Sequence, residues 1–247
     1  MKKDTTSWEG VKNWYDGLVG ENGHYFHQKI ILPGVKRLLN LQSNSSLLDL
    51  GCGQGILSRV IPKEVDYLGI DISPSLIQEA KKYRPDNFFV GDISHMPPLS
   101  KQDFTHSCFI LSLQNMKDPQ KAIAFAANHL GDRSHILLIL NHPCFRIPRQ
   151  TSWGEEGGLY RKVNRYMSPL QIPIRERPGR EKSAITYSFH HCLSDISSWL
   201  FTNGFVITQL EEWCSDKTST GKRAKMENFV RKEFPLFLAI GGKKKYS

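Results

Sequence analysis

Short apolar segments alternate along this sequence with longer segments that have helical spacing. From about residue 46 the order is strand, helix, strand, helix, in the successive stretches SLLDLG, GILSRVIP, DYLGID and SPSLIQEAKKY. Parallel strands need a long crossover between them, which is usually a helix, so this alternation is typical of a parallel sheet with helices on both faces. The sequence therefore predicts a doubly wound α/β fold.

The alternation continues to about residue 141 and resumes near the C-terminus. A third strand is predicted in NFFVGD, and the fourth and fifth strands, in DFTHSCFILSLQN and SHILLILNHP, flank a helix in DPQKAIAFAANHLG that its own glycine is expected to close. After a predicted helix in LSDISSWLFTNGF, the stretches FVITQLEEW and PLFLAIGG are predicted strands. A polar, basic loop separates these two, so we expect an antiparallel hairpin. The expected sheet is Rossmann-like, seven-stranded and mostly parallel.

One long segment breaks this pattern. Residues 142–188 are rich in proline, arginine and aromatic residues, and they are far more numerous than an ordinary connection requires. We interpret them as an inserted substrate cap or lid. Residues 41–141 and 189–247 then form the Rossmann-like domain.

The N-terminal region has its own helical spacing. We interpret residues 1–40 as a helical cap, in which the segment Leu18 to Leu41 is helical with an interruption at Pro33 and Gly34. No apolar stretch typical of a secretory signal occurs in the first residues.

Composition excludes several classes of protein. Hydrophobic residues make up 39% of the chain, but no apolar run approaches the roughly 20 residues that span a bilayer. The five cysteines never form a Cys-x-x-Cys pair. Their spacing argues against a zinc site or another cysteine-ligated metal site, and also against a disulfide framework. A cytoplasmic location is expected. The net charge of +9 favours anionic partners, while the oligomeric state stays open.

A glycine-rich turn follows the first predicted strand. Gly51, Gly53 and Gly55 are separated by single residues, and Ile56 stands where a nicotinamide-binding fingerprint would need its third glycine. We expect Gly51 to form the turn and the other two glycines to face an anionic group of a ligand.

Three carboxylates are expected around the same pocket. Asp49 precedes the turn, while Asp71 and Asp92 end the second and third strands. Because three acids repel a diphosphate, they favour a ligand that carries positive charge, such as an amino group and a sulfonium.

These motifs resemble those of a known family. The stretches D49-L-G-C-G-Q-G55, G69-I-D-I-S73, G91-D-I93 and L111-S-L-Q-N115 are similar to successive motifs of class I S-adenosylmethionine-dependent methyltransferases. The resemblance extends from about Tyr15 to Ala239 and is strongest to the ubiquinone- and menaquinone-biosynthesis-like branch, whose acceptors are small molecules. It implies a transferase of class EC 2.1.1.- that binds S-adenosylmethionine and releases S-adenosylhomocysteine.

The resemblance also implies the residues that bind this cofactor. In the family, the glycine turn holds the methionine moiety, the acid after the second strand holds the ribose, and the acid after the third strand lies near the adenine. Asp49 has two equally weighted roles, bracing the turn or contacting the methionine amino group. By position, the cofactor-binding candidates are Asp49, Gly51, Gly53, Gln54, Gly55, Asp71, Ile72, Asp92, Ile93 and Leu111.

Candidates for catalysis come from two histidine-containing stretches. Methyl transfer needs a general base only when the acceptor must lose a proton. GHYFHQ supplies His27 and the orienting hydroxyl of Tyr25, and SFHH supplies His190, which we prefer over His191. His142 is a further candidate.

The class of methyl acceptor is open at this point. A small anionic or aromatic molecule bound under residues 142–188 is the preferred interpretation. Alternatively, the arginines of that segment and the lysines after Lys217 hold RNA, or the chain is a cofactor-binding scaffold without catalytic activity. Residues 112–115 lack the motif for methylating amino groups of DNA bases, and Cys144 stands without the second motif of cytosine-C5 methylases.

Overall fold

The computed structural model describes Glu9, residues 23–175 and residues 185–245. Its strands are β1 (Ser46–Leu50), β2 (Asp66–Asp71), β3 (Phe88–Val90), β4 (Phe104–Ile110), β5 (Leu130–Asn141), β6 (Thr151–Gly154), β7 (Tyr160–Val163), β8 (Leu170–Arg175), β9 (Ile185–His190), β10 (Phe205–Trp213) and β11 (Phe237–Lys244). Its α-helices are α1 (Leu32–Leu39), α2 (Pro74–Lys81), α3 (Pro119–His129), α4 (Leu193–Thr202) and α5 (Ala224–Glu233). A π-helical turn at His27–Ile31 precedes α1, and 3₁₀ turns occur at Leu57–Arg59 and Leu113–Asn115.

The main sheet has the strand order β10-β11-β5-β4-β1-β2-β3. Its pairs from β3 to β5 are parallel, and β11 is antiparallel to both β5 and β10. The predicted seven-stranded, mostly parallel sheet with a C-terminal antiparallel hairpin is confirmed. The strand order reverses between β1 and β4, and in such sheets ligands bind outside the carboxyl ends of the strands at that point.

Apolar side chains cover both faces of the sheet. β1 is buried along its whole length, and its successive residues point to opposite faces. Leu48 and Leu50 belong to the cluster that includes residues of α3 and α4, whereas Leu47 belongs to the cluster on the other face with residues of α1 and α2. Each buried leucine contributes about 1.5–3 kcal/mol of stability. The two clusters fix β1, and with it the turn that follows.

Two helix predictions need correction. The predicted amphipathic helix after Gly55 is only the short 3₁₀ turn at Leu57–Arg59, because Pro62 leaves too few residues for a longer helix. The predicted interruption at Pro33 and Gly34 is wrong. Helical structure continues from the π-helical turn through Pro33 and Gly34 to Leu39. Residues 18–22 lie outside the described part of the chain.

The predicted glycine at the end of α3 does not close that helix. The chain passes from His129 directly into β5, and Gly131 lies within that strand. The ammonium group of Lys244 instead donates hydrogen bonds to the carbonyl oxygens of Ala127 (2.7 Å) and Leu130 (2.6 Å). A lysine from a distant strand thus satisfies carbonyl groups at the helix end, where a cation also interacts favourably with the helix dipole.

The segment after β5 contains two small antiparallel hairpins. β6 pairs with β7, and β8 pairs with β9. β9 continues to His190, so the first three residues of the SFHH stretch are strand, and His191 leads into α4, which begins at Leu193. The basic loop predicted between β10 and β11 contains α5, which the sequence analysis missed. None of the helices in the described ranges combines the length and apolar character needed to span a bilayer.

The turn glycines allow a test of packing. A Cβ atom on Gly55 (φ +74°) would lie 2.6 Å from Cζ of Phe88, whereas no described atom lies within 4 Å of a Cβ on Gly157, which has nearly the same φ of +71°. Both alanine variants experience the positive φ, but only Gly55→Ala also overpacks the core. Gly55→Ala should lower the free energy of unfolding by about 1–3 kcal/mol more than Gly157→Ala in urea denaturation. Equal losses would show that Phe88 relaxes freely.

Candidate active site

A large cavity lies at the carboxyl ends of β1 to β4. Its volume is about 1010 Å³. Strand-end residues, the 3₁₀ turn after β4 and parts of the segment after β5 all contribute to its lining. The predicted site residues on this lining are His27, Gly51, Gly53, Asp71, Ile72, Asp92, Ile93 and Leu111. The topology thus brings most of the sequence-predicted residues to one space.

The glycine turn is held tightly to the neighbouring strands. The N–H group of Gly51 donates to the carbonyl oxygen of Ile70 at 2.7 Å. A Cβ atom on Gly51 would lie 2.4 Å from Cβ of Ser112, and the Ser112 hydroxyl donates to the carbonyl oxygen of Leu50 at 2.6 Å. Only glycine combines the positive φ of +74° with this close approach. Gly51 therefore forms the turn, as the sequence predicts.

Two predicted residues of the same turn lie elsewhere. Gly55 packs against Phe88 and Ala80, and its N–H group donates to the carbonyl oxygen of Cys52. Gln54 is buried, with its carbonyl oxygen accepting a hydrogen bond from Arg59. Neither residue is part of the described lining of the cavity. Gly55 is required for close packing between the turn, α2 and β3 rather than for facing an anion.

Asp71 connects the turn to the end of β2. Its Oδ2 atom accepts the N–H group of Gly53 at 2.9 Å, and its Oδ1 atom accepts that of Ser73 at 2.9 Å. Burial raises the pKa of Asp71, the two backbone hydrogen bonds oppose this shift, and nearby Glu9 raises the pKa further. Each carboxylate oxygen keeps a second lone pair that can accept a hydrogen bond from a ligand hydroxyl.

The end of β3 carries the second predicted acid. Asp92 accepts the N–H group of Ser94 at 3.0 Å and lies 2.9 Å from Nδ1 of His95. Ile93 is buried beside it, and Ile72 at the end of β2 is 40% exposed. All three predicted residues lie on the cavity lining, where the two isoleucines provide apolar surface next to the Asp92 carboxylate.

Asp49 lies within β1, just before the turn, and it is not part of the described cavity lining. It is 2% exposed, and its carboxylate accepts hydrogen bonds from the Tyr67 hydroxyl at 2.7 Å and the Cys108 thiol at 3.5 Å. Burial raises its pKa to about 6, against the opposing effect of these two hydrogen bonds. Of the two roles considered from the sequence, the geometry favours the brace.

The end of β4 has an unusual backbone conformation. Leu111 has a φ of +54°, and its carbonyl oxygen accepts a hydrogen bond from the Asn115 side chain at 3.0 Å. This turn directs Gln114 and Asn115 toward the cavity, which both residues line.

The three catalytic candidates occupy different places. His27 lines the large cavity, and burial together with nearby His24 lowers its pKa to about 4. His190 lines a smaller side pocket, and its Nε2 atom donates to the carbonyl oxygen of Tyr166 at 2.7 Å. Tyr25 lines neither space, and its hydroxyl donates to Asp216 at 3.1 Å on the exterior. The structure does not bring the three together.

Two buried polar atoms on the cavity lining are unsatisfied. These are Nδ1 of His27 and Oε1 of Gln114, and neither has a hydrogen-bond partner among the residues that the structure describes. An unsatisfied buried polar atom is costly unless a ligand or water supplies its partner. Both atoms can accept hydrogen bonds from an amino or hydroxyl group.

The lining has a strongly acidic part. Its carboxylates belong to Glu9, Asp71, Asp92 and Asp118. Glu9 accepts hydrogen bonds from the hydroxyls of Ser73 and Ser75 at the start of α2. No group of histidine, cysteine, aspartate and glutamate in the described chain is arranged to hold a metal ion. Together with the unsatisfied acceptors, these acids fit a ligand with an amino group, hydroxyls and a positive charge, which describes S-adenosylmethionine.

Sequence reasoning missed Glu9, Gln114 and the side pocket. Gln114 follows the fourth strand at the point where strand order reverses, so its position was a usable signal. Nothing in the sequence around Glu9 indicates that it reaches Ser73 from 64 positions away.

Comparison with known proteins identifies the family. The model of a family described as "Methyltransferase domain" matches residues 23–171, which is more than half of the chain. The protein belongs to this methyltransferase family. Its cofactor is accordingly S-adenosylmethionine. The resemblance to the ubiquinone- and menaquinone-biosynthesis-like branch stays a prediction.

Two curated relatives of this methyltransferase have different acceptors. Juvenile hormone acid O-methyltransferase of Bombyx mori is 33% identical over 151 residues, which cover 56% of this chain and 54% of the relative. The 18S rRNA (guanine(1575)-N(7))-methyltransferase of Saccharomyces cerevisiae is 48% identical over 42 residues, covering 16% of this chain and 15% of the relative. The matches thus span about half or less of each relative.

A solved structure supports the fold. An S-adenosylmethionine-dependent methyltransferase from Mesorhizobium loti aligns with a TM-score of 0.66 and 21% identity. The alignment covers 86% of this chain and 96% of that chain.

The Asp49 brace predicts a specific pH dependence. Because its pKa in the folded protein is above that of the unfolded chain, protonation of Asp49 stabilises the fold at low pH, and this contribution is lost as the pH rises through about 6. Lowering the pH from 7 to 4.5 should stabilise the wild type by about 2 kcal/mol relative to Asp49→Asn. Urea denaturation of both proteins at both pH values measures this difference. Parallel pH profiles would contradict the assignment.

The position of Asp71 predicts a loss of cofactor affinity. Asp71→Asn removes the charge that strengthens hydrogen bonds from ligand hydroxyls, so the Kd for S-adenosylhomocysteine in calorimetry should rise roughly 10- to 100-fold. Asp66→Asn is the matched control, because Asp66 lies at the opposite end of β2 and pairs with Lys101 at 2.5 Å. An unchanged Kd in Asp71→Asn would remove Asp71 from the binding site.

Proposed function

We propose that this methyltransferase transfers a methyl group from S-adenosylmethionine to a small-molecule acceptor bound in the large cavity. The supporting observation is that a single cavity is lined both by strand-end residues, which we assign to the cofactor, and by residues of the segment after β5, which we assign to the acceptor. Gly51, Gly53 and Asp71 lie at the strand ends, while Pro148, Ile174 and Ser188 come from the segment after β5. A chamber of about 1010 Å³ suits a cofactor together with a compact acceptor.

The proposal assigns parts of the cofactor to the lining residues. Gly51 and Gly53 hold the methionine portion, Asp71 with Ile72 holds the ribose, and Asp92 with Ile93 holds the adenine. Bound S-adenosylmethionine supplies the methyl group as part of an electrophilic sulfonium. Leu111 closes the space at the end of β4, and the described residues between 142 and 188 act as the cap that excludes water from the acceptor, while residues 176–184 lie outside the described part of the chain.

The protein's own part in the chemistry is mainly alignment. Methyl transfer is an in-line displacement, so holding the acceptor in the right orientation supplies much of the rate. His27, with a pKa of about 4, is a weak base for an acceptor that holds its proton tightly. The site therefore favours acceptors that are already nucleophilic at neutral pH. Gln114, whose Oε1 atom is unsatisfied, is suited to orient such an acceptor.

RNA methylation is the second candidate. Its support is the net charge of +9, the match of 42 residues to an rRNA methyltransferase and the exposed basic side chains on and beside α5. Trp153 is 44% exposed and has the Arg161 guanidinium 4.8 Å from its ring centre, an arrangement that can stack on a base. These residues lie outside the lining of the large cavity.

Transfer of labelled methyl groups separates the alternatives. Purified protein is incubated with radiolabelled S-adenosylmethionine and either a low-molecular-weight cell filtrate or total RNA. We expect label in the filtrate. We also expect the triple variant Lys222→Gln, Lys225→Gln, Lys232→Gln to transfer at the wild-type rate, because these exposed lysines do not line the cavity. Salt-sensitive labelling of RNA that the triple variant loses would establish the second candidate. Cofactor binding without label in either fraction would favour the scaffold.

A further inference from the structure

A side pocket adjoins the proposed acceptor end of the large cavity. The two spaces share the lining residues Gln114, Asn141, Pro148 and Ser188. The side pocket has a volume of about 50 Å³, which is roughly three to five times the space that one water molecule needs. It can accommodate a compact polar group and a short stem, while the rest of a ligand extends into the large cavity.

One charged side chain in this pocket has no counterion. Arg146 lines the pocket, and its guanidinium makes no hydrogen bond or ion pair with any residue of the described ranges. The described lining contains no aspartate or glutamate. Its other members are mainly apolar, including Phe189, Ile196 and Trp199. An unpaired guanidinium at a pocket that contains no carboxylate can bind an anion in a bidentate geometry.

The surroundings increase the need for an anion. Arg146 is an exposed residue, although protein around its guanidinium desolvates part of it, and nearby Arg161 repels it. Both effects lower the pKa of Arg146, but an arginine stays charged at neutral pH. Arg161 is itself fixed by hydrogen bonds to the carbonyl oxygen of Phe145 (2.9 Å) and the hydroxyl of Thr151 (2.7 Å), so it does not move away.

A buried histidine positions the backbone that carries Arg146. His142 is 1% exposed, its Nε2 atom donates to Glu212 at 2.7 Å, and its Nδ1 atom accepts the N–H group of Cys144 at 3.2 Å. Its carbonyl oxygen accepts the N–H group of Arg146 at 2.8 Å. With both ring nitrogens committed, His142 is a structural residue rather than a base. The turn at residues 142–146 is thereby fixed at the pocket.

We propose that Arg146 binds a carboxylate of the methyl acceptor in the side pocket, so that the acceptors of this enzyme are carboxylic acids. This inference rests on the proposed function, since it names the substrate class of the same site. A carboxylate is planar and singly charged, and it matches one guanidinium in a bidentate geometry within the small volume available. The apolar lining accommodates the carbon stem. The acidic residues of the cofactor end keep the acceptor's anionic group at the opposite end of the cavity.

Calorimetry with pairs of acids and amides tests this assignment. The probes are hexanoate, decanoate, benzoate and cinnamate with their primary amides, titrated into protein with S-adenosylhomocysteine present. At least one acid should bind the wild type roughly 10- to 100-fold more tightly than its amide. Arg146→Gln should abolish that preference, and Arg146→Lys should retain part of it. The proposal is wrong if no acid is preferred over its amide.

A matched control uses an arginine of the same segment. Arg149 is exposed, lies three positions further along the chain and lines neither space. Arg149→Gln should therefore keep the preference for acids, and an equal loss in Arg149→Gln and Arg146→Gln would contradict a specific role for Arg146. Thermal unfolding of each variant shows whether it is folded. If Arg146→Gln fails to fold, Arg146→Lys provides the comparison.

The same titrations separate this inference from the proposed function. Arg146 is outside the described lining of the large cavity, so Arg146→Gln should bind S-adenosylhomocysteine with the wild-type Kd. If the wild type fails to bind S-adenosylhomocysteine, the proposed function is wrong, whereas acid binding to the unliganded protein still tests Arg146. If S-adenosylhomocysteine binds normally but acids and amides bind alike, only the carboxylate assignment is wrong.

Discussion

The structure depends on the hydrogen bonds that hold the turn after β1 to the end of β2. The N–H groups of Gly51 and Cys52 donate to the carbonyl oxygen of Ile70, and that of Gly53 donates to Asp71. These bonds place a backbone turn and a carboxylate side by side at the carboxyl edge of the sheet. Because β1 is buried on both faces, the turn that follows it has little freedom to move.

Much of the fold follows from local sequence pattern. The strands up to β5 and the helices α2 and α3 were predictable because buried strands and amphipathic helices differ in the spacing of apolar residues. Two of the errors arise where a distant residue decides the local outcome. The end of α3 depends on Lys244, which is 114 positions from Leu130, so a glycine appeared to be the natural stop. Similarly, Gly55 looked like a ligand-facing glycine because the sequence does not show that Phe88 lies against it.

The site was predictable where topology alone brings residues together. The strand-end residues Asp71, Asp92 and Leu111 line one cavity because the carboxyl ends of parallel strands meet at one edge. The two ends of the site differ in charge, with carboxylates near the strand ends and Arg146 in the side pocket. That division depends on which side chains the packed structure brings to each space, a property that spacing does not reveal. Under the proposed function, this division lets a site rich in acids accept a cationic cofactor together with an anionic group of the acceptor.

Thermal unfolding with S-adenosylhomocysteine tests the central claim most directly. The account predicts that S-adenosylhomocysteine at about 100 times its Kd raises the free energy of unfolding by roughly 2.7 kcal/mol, and that NAD at the same concentration has no effect. This result would place a methionine-containing nucleoside, rather than a dinucleotide, against Gly51 and Asp71. The assignment of the cavity would be contradicted if S-adenosylhomocysteine left the free energy of unfolding unchanged, or if NAD raised it instead.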